Sequence, residues 1–364
     1  MSYSRAIVVD NGSYEIKAGF ASYDNPQYQF PCIVGRPRCF YSCFNANKEY
    51  IGDEANSMRG VVNCKSPHCN GIIKDWDDMI KIWNYTFNQL QVNPAEQPIL
   101  ITEPPNNPEK NRERTAEIFF ERFKVPSFYL DVSSVLSLYA SGRATGCVVD
   151  CGHSNTHIVP IYEGYSLPHA ILSLNIGGTD MDNYMEEMYY RNTSHELKPH
   201  HFREMKEKCC YVSMDIEKEK NIPGKSYELP DGSSITLSEE RIRVPEILFN
   251  PSLIGKDLLY GGIHKTICSS ISKYDEGIHG ELFSNIIPTG GSTMFHGFGE
   301  RLQKEVEHFS PSNNKVKVLF SPERKNMAWI GGSILASLSS FRNMWISRKE
   351  YEEEGPAVVL SRCF

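Results

Sequence analysis

A motif that occurs twice constrains the fold of this chain more than any other feature. Val8-Val9-Asp10-Asn11-Gly12-Ser13 near the start is echoed by Val148-Val149-Asp150-Cys151-Gly152-His153. Each copy is an apolar run that ends in Asp-x-Gly, which is typical of a tight β-hairpin. Helical segments separate the two copies, so the sequence predicts two similar α/β halves.

The same two loops are candidates for phosphate binding. Each offers backbone N–H groups where a strand ends, and Lys17 or His157 follows it. Two such loops facing each other would bind a polyphosphate, and Asp10 and Asp150 would hold Mg²⁺ through water. Two ordinary hairpins are the alternative interpretation, because short motifs recur by chance.

Composition limits the class of protein. The chain has 364 residues, of which 40% are hydrophobic and 23% charged, enough for two or three globular domains. A net charge of −7 argues against a general nucleic-acid binder. No apolar run reaches the length of a membrane span, and the first residues lack a signal-peptide core, so we expect no membrane insertion.

The cysteines indicate a reducing compartment, the cytoplasm or the nucleus. The chain carries 11 of them, an odd number for a disulfide scaffold. Cys39, Cys43, Cys64 and Cys69 could suggest zinc, but their spacing is looser than the usual Cys-x-x-Cys pairs. Free thiols are therefore the favoured interpretation of this group.

Local patterns predict several elements. Asn107-Pro108-Glu109 is typical of a helix start in which Asn107 caps, Pro108 lies in the first turn and Glu109 favours the positive end. The other predicted elements are a β-meander over residues 1–35, an exposed loop over 37–50, a helix over Trp76–Leu90, a short helix over Ser134–Ala140, a second meander over Gly146–Ile171 and a last helix over Gly332–Trp345.

Longer stretches of the sequence resemble actin closely, from about Ile7 to Phe364. The stretches that carry the resemblance are Asp10-Asn11-Gly12-Ser13 with Lys17-Ala18-Gly19-Phe20, Ile33-Val34-Gly35-Arg36-Pro37, Trp76-Asp77-Asp78-Met79, Leu136-Ser137-Leu138-Tyr139-Ala140-Ser141-Gly142-Arg143, Lys225–Gly232, Trp329–Leu338 and the final Cys363-Phe364. The resemblance implies the two-lobed ATPase fold that actin shares with hexokinase and the heat-shock chaperones, with duplicated α/β halves around a nucleotide cleft.

The resemblance also implies domain boundaries. The first lobe would comprise residues 1–140 and 327–364, with a small outer subdomain at 32–66. The second lobe would comprise residues 141–326, with an outer subdomain at 177–256.

Site residues follow from the same resemblance. The cleft would hold ATP or ADP with Mg²⁺ or Ca²⁺, which Asp10 and Asp150 would bind through water. His157, Asp150 and Ser133 are the implied catalytic residues. The implied nucleotide contacts are Gly12, Ser13, Tyr14, Lys17, Gly152, His153, Ser154, Arg203, Lys206, Glu207, Gly290, Gly291, Thr293, Met294, Phe295 and Lys325.

Three departures from the actin pattern fall on the chemistry. Tyr14 replaces a glycine in the first phosphate loop, where a side chain restricts the backbone. His153 replaces a carboxylate expected near the metal: neutral imidazole suits hydrated Mg²⁺ poorly, whereas protonated imidazole could pair with phosphate. Ser133 stands where actins have a glutamine that positions the attacking water, so we expect at most slow ATP hydrolysis.

The leading hypothesis is a cytoskeletal protein that polymerises head to tail with ATP. It would bind profilin-like proteins through the groove of Tyr139, Ile334 and Leu338, and myosin only weakly. The alternative is a non-polymerising actin-related subunit of a chromatin-remodelling or filament-capping complex. Related sugar kinases and chaperones form a third class, since Ile176–Asp182 is similar to a chaperone motif, but neither a substrate-binding domain nor a sugar-activating base is evident.

Overall fold

The computed structural model describes residues 5–38, 48–192, 196–219, 222–312 and 314–363. The chain divides into two compact units, Met1–Ala144 with Asn326–Phe364, and Thr145–Lys325. Cys39 and Cys43 lie outside the described residues, as do Phe40, Tyr41 and Phe44 of the loop predicted over 37–50. The smaller outer subdomains at 32–66 and 177–256 stay predictions.

The first unit begins with ten strands and four helices. These are β1 (Ile7–Asn11), β2 (Glu15–Phe20), β3 (Tyr28–Pro31), β4 (Val34–Pro37), β5 (Tyr50–Ile51), α1 (Asp53–Ser57), β6 (Val62–Lys65), β7 (His68–Cys69), β8 (Ile72–Ile73), α2 (Trp76–Leu90), β9 (Ile99–Glu103), α3 (Glu109–Glu117), β10 (Ser127–Val132) and α4 (Ser133–Ala140). A π-helical turn at Ile118–Arg122 extends α3. The helix predicted over Trp76–Leu90 is confirmed.

The second unit holds the next elements. They are β11 (Gly146–Cys151), β12 (Thr156–Tyr162), β13 (Tyr165–Ser166), β14 (Leu172–Leu174), α5 (Gly178–Asn192), α6 (Pro199–Cys209), β15 (Lys225–Glu228), β16 (Ser234–Leu237), α7 (Glu240–Glu246), α8 (Ile263–Ile271), α9 (Glu276–Ser284), β17 (Ile286–Thr289) and α10 (Phe298–Phe309). The chain then returns to the first unit with α11 (Met327–Ser337), β18 (Ile346–Ser347), α12 (Arg348–Glu354) and α13 (Val358–Arg362).

Each unit is built around one main sheet. The six-stranded sheet of the first unit has the order β18-β10-β9-β1-β2-β3, with β1, β9 and β10 parallel. The sheet of the second unit has the order β13-β12-β11-β17, with β14 beside β12 and with β11 parallel to β17. The parallel central strands are buried along nearly their whole length, as their apolar sequences require.

Large apolar side chains close the core of the first unit. Trp83, Phe119, Phe128 and Trp329 are fully buried there, and the Trp329 indole N–H donates to the carbonyl of Val8 at 3.0 Å. Helix α11 packs so closely on α4 that a Cβ on Gly331 would lie 1.8 Å from the carbonyl oxygen of Leu136. This contact fixes the helix that begins at Ser133.

The predicted cap of α3 is wrong. Pro108 is the N-cap residue and no side chain caps the helix. The Asn107 amide instead donates to Glu103 Oε2 at 2.9 Å, and Arg112 binds Glu103 Oε1 at 2.8 Å. Leaving the buried Glu103 carboxylate without hydrogen bonds would cost more free energy than leaving the exposed helix end uncapped. Water can hydrogen-bond to the helix end, but it does not reach the buried carboxylate.

The predicted last helix over Gly332–Trp345 is also wrong. Helix α11 ends at Ser337, Leu338 is extended, and α12 and α13 follow. Strand β18 must pair with β10, and Phe341 must reach the core, where it packs edge-on against Tyr129. A continuous helix could satisfy neither contact. No helix in the described ranges combines the length and apolar character needed to span a bilayer.

A buried carboxyl group lies on β10 in the first unit. Asp131 accepts a hydrogen bond from the Val132 amide at 2.8 Å, and burial raises its pKa to about 8. The neighbouring Glu103 carboxylate raises this pKa further, whereas the Val132 amide and Arg112 lower it. Asp131 is therefore protonated in the folded protein near neutral pH.

This proton makes stability depend on pH. In the unfolded chain an aspartate loses its proton near pH 4, so between pH 4 and 8 only the folded state holds it. Asp131 should therefore lower the unfolding free energy of the wild type relative to Asp131→Asn by up to about 1.4 kcal/mol per pH unit across this range, and this contribution should level off above it. Thermal melts of wild type and Asp131→Asn at several pH values test this: the wild type should lose stability relative to the variant. Parallel profiles would contradict the prediction.

Candidate functional site

The two hairpins predicted from the repeated motif have the same construction. In the first unit β1 pairs antiparallel with β2, and Asp10 lies opposite Lys17. In the second unit β11 pairs antiparallel with β12, and Asp150 lies opposite His157. Each leading strand also has a parallel partner on its other side, β9 or β17. The repeat in sequence is therefore a repeat in strand register.

The carboxylate of Asp10 is held from two sides in the first hairpin. Lys17 Nζ lies 2.7 Å from Oδ2, and the Thr102 hydroxyl donates to Oδ1 at 2.9 Å. The same hydroxyl accepts the Asn11 amide at 2.8 Å. Both charged side chains are about nine-tenths buried, so each compensates the other's loss of hydration. Asp10 thus has a fixed orientation where β1 ends.

Gly12 makes the first loop possible, and Tyr14 fits into it. A Cβ on Gly12 would lie 2.6 Å from the Glu15 carbonyl oxygen, so no other residue fits that turn. Tyr14 is not among the described residues with positive φ, so its side chain strains no backbone angle there. The carbonyls of Ser13 and Tyr14 accept from Ser66 Oγ and the Cys32 amide.

Ser133 leaves the sheet at the same edge as this loop. The register aligns Val9 with Ile101 and Ile101 with Leu130 across three parallel strands. Gly12 and Ser133 therefore both follow the carboxyl ends of these strands, with only β9 between them. Such an edge is where ligands bind in parallel α/β sheets.

The loop of the second hairpin packs against the start of α5 and the turn after β17. The amides of Gly178 and Thr179 donate to the carbonyls of Gly152 and His153 at 3.1 and 2.8 Å. Ser292 Oγ donates to the Gly152 carbonyl at 2.8 Å. The first amides of α5 are thus occupied by the loop itself.

Two glycines allow this close packing. A Cβ on Gly177 would lie 2.5 Å from the His153 carbonyl oxygen. A Cβ on Gly290, whose φ is +91°, would lie 2.4 Å from the Cys151 carbonyl oxygen and 2.9 Å from Asp150 Oδ1. Asp150, the loop and the Gly290 turn are therefore one compact group of the second unit. Backbone and short side chains line it, which suits a phosphate chain.

His153 is a neutral imidazole in this structure. Burial lowers its pKa to about 4, and nearby Arg203 and Lys206 lower it further, whereas Asp182 raises it. Its Nε2 lies 3.1 Å from Thr179 Oγ1. The protonated form that could pair with phosphate is not the form these surroundings favour.

His157 is also neutral. Burial lowers its pKa to about 4, and its Nδ1 lies 2.8 Å from Ser173 Oγ. A neutral imidazole with one nitrogen engaged can exchange a hydrogen bond with water through the other. Because His157 lies opposite Asp150, it is the candidate for binding a water molecule in the second hairpin.

The expected nucleoside contacts differ in their surroundings. Arg203 and Lys206 form a cluster with Asp182, whereas Glu207 and Lys325 are exposed. Thr293 and Phe295 are buried, and Met294 is 42% exposed. The Thr293 hydroxyl donates to the Gly290 carbonyl at 2.7 Å, which joins this turn to the Gly290 group.

Asp182 is a charged group that the sequence reasoning did not assign. It lies on α5 and binds Arg203 Nε at 2.9 Å and Lys206 Nζ at 2.7 Å. The available signal was the spacing of Arg203 and Lys206, three residues apart on α6, which places both on one helix face. An acidic partner on a neighbouring helix then becomes the expected companion.

Cysteine and metal chemistry receives no support from the described part of the chain. Cys64 is half-buried and Cys69 exposed, and both are free thiols. No group of three or more histidine, cysteine or acidic side chains that could hold a metal directly occurs among the described residues.

Neighbouring glycines at the turn after β17 give a matched test. Gly290→Ala should lower the melting temperature, because alanine at φ +91° is strained by about 1–3 kcal/mol and its Cβ collides with the Cys151 carbonyl. Gly291→Ala is the control, since nothing lies within 4 Å of its Cβ position. Equal melting temperatures for the two variants would contradict this account of the turn.

A comparison with family models adds one finding. The model described as Actin matches residues 1–364, the whole chain. The match therefore includes both hairpins and every residue of the groups described above.

Proposed function

Because the chain belongs to the actin family, we propose that it binds ATP or ADP with a divalent cation and assembles into cytoskeletal filaments. The repeated hairpin carries the proposal. Asp10 opposite Lys17 and Asp150 opposite His157 occupy equivalent registers at the ends of two buried strands. Two carboxylates and two sets of loop amides are the groups that a metal–polyphosphate complex requires.

In this proposal the loops bind the phosphates and the carboxylates hold the cation through water. The phosphate-binding residues are Gly12, Ser13, Tyr14 and Lys17 from the first loop, and Gly152, His153 and Ser154 from the second. Mg²⁺ or Ca²⁺ supplies positive charge to the phosphate oxygens when it is bound. The fixed Asp10 and the glycine-lined group around Asp150 support this assignment.

The nucleoside would lie against the second unit. Its proposed contacts are Arg203, Lys206, Glu207, Gly290, Gly291, Thr293, Met294, Phe295 and Lys325. The joined turns at Gly290 and Thr293 support the proposal, as does the exposed Met294, whose flexible apolar side chain can pack against a base.

Hydrolysis should be slow. Ser133 lies at the edge where the first loop begins, but its side chain is too short to position water as a glutamine would. His153 lacks the charge of a carboxylate, so it contributes little to ordering the hydration shell of a cation. His157 and Asp150 are the remaining groups for organising water. The protein would be at most a slow ATP hydrolase.

The proposed partners are further copies of this chain and actin-binding proteins. Ile334 and Leu338 are 44% and 48% exposed beside the half-buried Tyr139, an apolar surface that suits an amphipathic helix such as profilin-like proteins offer. Weak binding of myosin is part of the same proposal. The cytoplasm, with the nucleus as second site, is the proposed location.

One observation favours the alternative, a non-polymerising subunit of a chromatin-remodelling or filament-capping complex. His279 replaces a charged residue of the family's longitudinal contact, and its Nε2 lies 2.7 Å from the Tyr274 carbonyl oxygen. The ring thus bonds within its own unit. Together with Gly277, it leaves this surface with fewer charges for a neighbouring subunit.

Sedimentation in Mg-ATP over a range of concentrations separates the two functions. A filament-forming protein should pellet only above a critical concentration, and should stay in the supernatant without nucleotide. A protein that binds ATP and stays soluble at every concentration would contradict filament formation and favour the alternative.

Phosphate release tests the slow hydrolysis. Ser133→Gln should release phosphate from bound ATP faster than the wild type, because the longer amide can hold water at the strand edge. Ser133→Ala is the control and should be no faster than the wild type. Equal rates in all three proteins would exclude position 133 as the cause.

A further inference from the structure

A cluster of buried charges joins α5 to α6 in the second unit. Asp182 binds Arg203 through Oδ2 and Lys206 through Oδ1, so each carboxylate oxygen holds one cation. Lys206 also donates to the Gly178 carbonyl at 3.1 Å. The three charged side chains are between 7% and 20% exposed. Their geometry is thus fixed by ion pairs rather than by solvent.

Asp182 compensates the buried charge of Lys206. Lys206 is 6% exposed, and a buried ammonium without a counter-ion loses several kcal/mol of hydration. Asp182 offsets this loss at 2.7 Å. Without the carboxylate, Lys206 would turn toward solvent, and its N–H groups would leave their present positions.

Lys206 has donor capacity left for a ligand. An ammonium group has three donors; among the described residues Lys206 donates to the Gly178 carbonyl and forms an ion pair with Asp182 Oδ1, an oxygen that accepts no hydrogen bond there. A buried donor without an acceptor costs about 1–3 kcal/mol. The remaining donor capacity is available to an acceptor from outside the described residues.

This donor lies close to the second phosphate loop. A Cβ on Gly178 would lie 3.2 Å from His153 Nδ1 and 3.4 Å from Lys206 Nζ, so both side chains meet over Gly178. His153 is neutral, and Asp182 cancels one of the two positive charges of Arg203 and Lys206. This partial cancellation makes the cluster a weaker phosphate site than two uncompensated cations would be, and its N–H groups can donate to a sugar hydroxyl.

We propose that Asp182 is a positioning residue for the nucleoside: it holds Lys206 and Arg203 as donors to the ribose, so that the site prefers a nucleotide over a bare phosphate chain. The inference rests on the proposed nucleotide binding. Asp182 acts through the two cations, and the loops and their amides bind the phosphates independently of it.

Affinities for two ligands test the inference. Dissociation constants for ATP and for inorganic tripolyphosphate, both with Mg²⁺, should be measured for the wild type and for Asp182→Asn. The variant should lose about tenfold or more in ATP affinity, because charged hydrogen bonds to the ribose are lost. Its tripolyphosphate affinity should stay equal or rise, since one negative charge is removed. The preference for ATP should therefore fall about tenfold or more.

Two further variants control for charge and folding. Glu187→Gln removes the same charge from the same helix, but Glu187 is exposed and pairs with Arg191, so its ratio of affinities should match the wild type. Asp182→Glu keeps the negative charge and should retain part of the preference for ATP over tripolyphosphate. It replaces Asp182→Asn as the test if that variant does not fold.

An unchanged ratio of affinities in folded Asp182→Asn, which includes an equal loss for both ligands, would overturn the inference. If instead the wild type binds neither ATP nor tripolyphosphate, the proposed function itself fails.

Discussion

Close backbone packing around two short loops is the constraint on which the candidate site depends. In the second unit the carbonyls of Cys151 and His153 approach Gly290 and Gly177 so closely that no side chain fits between them. In the first unit Gly12 meets the Glu15 carbonyl in the same way. Strand ends, loop amides and carboxylates therefore keep one arrangement in each unit, which a ligand can use without paying to order them.

Ion pairs fix the charged side chains within this framework. Lys17 is held by Asp10 in the first unit, and Lys206 by Asp182 in the second. Breaking such a buried pair leaves an uncompensated charge, so these side chains stay where they are until a ligand offers better partners. The histidines follow a different rule, since burial keeps His153 and His157 neutral. The site thus carries less charge than its residue types alone indicate.

Local patterns predicted the hairpins and α2 because the deciding contacts lie within a few residues. The Asp-x-Gly loops close between adjacent strands, and the apolar face of Trp76–Leu90 repeats at helical spacing. The cap at Asn107 and the helix through Trp345 were mispredicted because distant partners decide them. Glu103 takes the Asn107 amide, and β10 takes the chain that follows Leu338. Asp182 was missed for the same reason, since its partners lie on another helix.

The roles of the site residues are implied by the resemblance to actin and stay proposals, whereas the family match shows the family itself. Titration of nucleotide-depleted protein with ATP, with and without Mg²⁺, is the measurement that tests the central claim most directly. The account predicts saturable binding of one nucleotide per chain, weakened when the metal is chelated. Absence of saturable binding to the folded protein would contradict it.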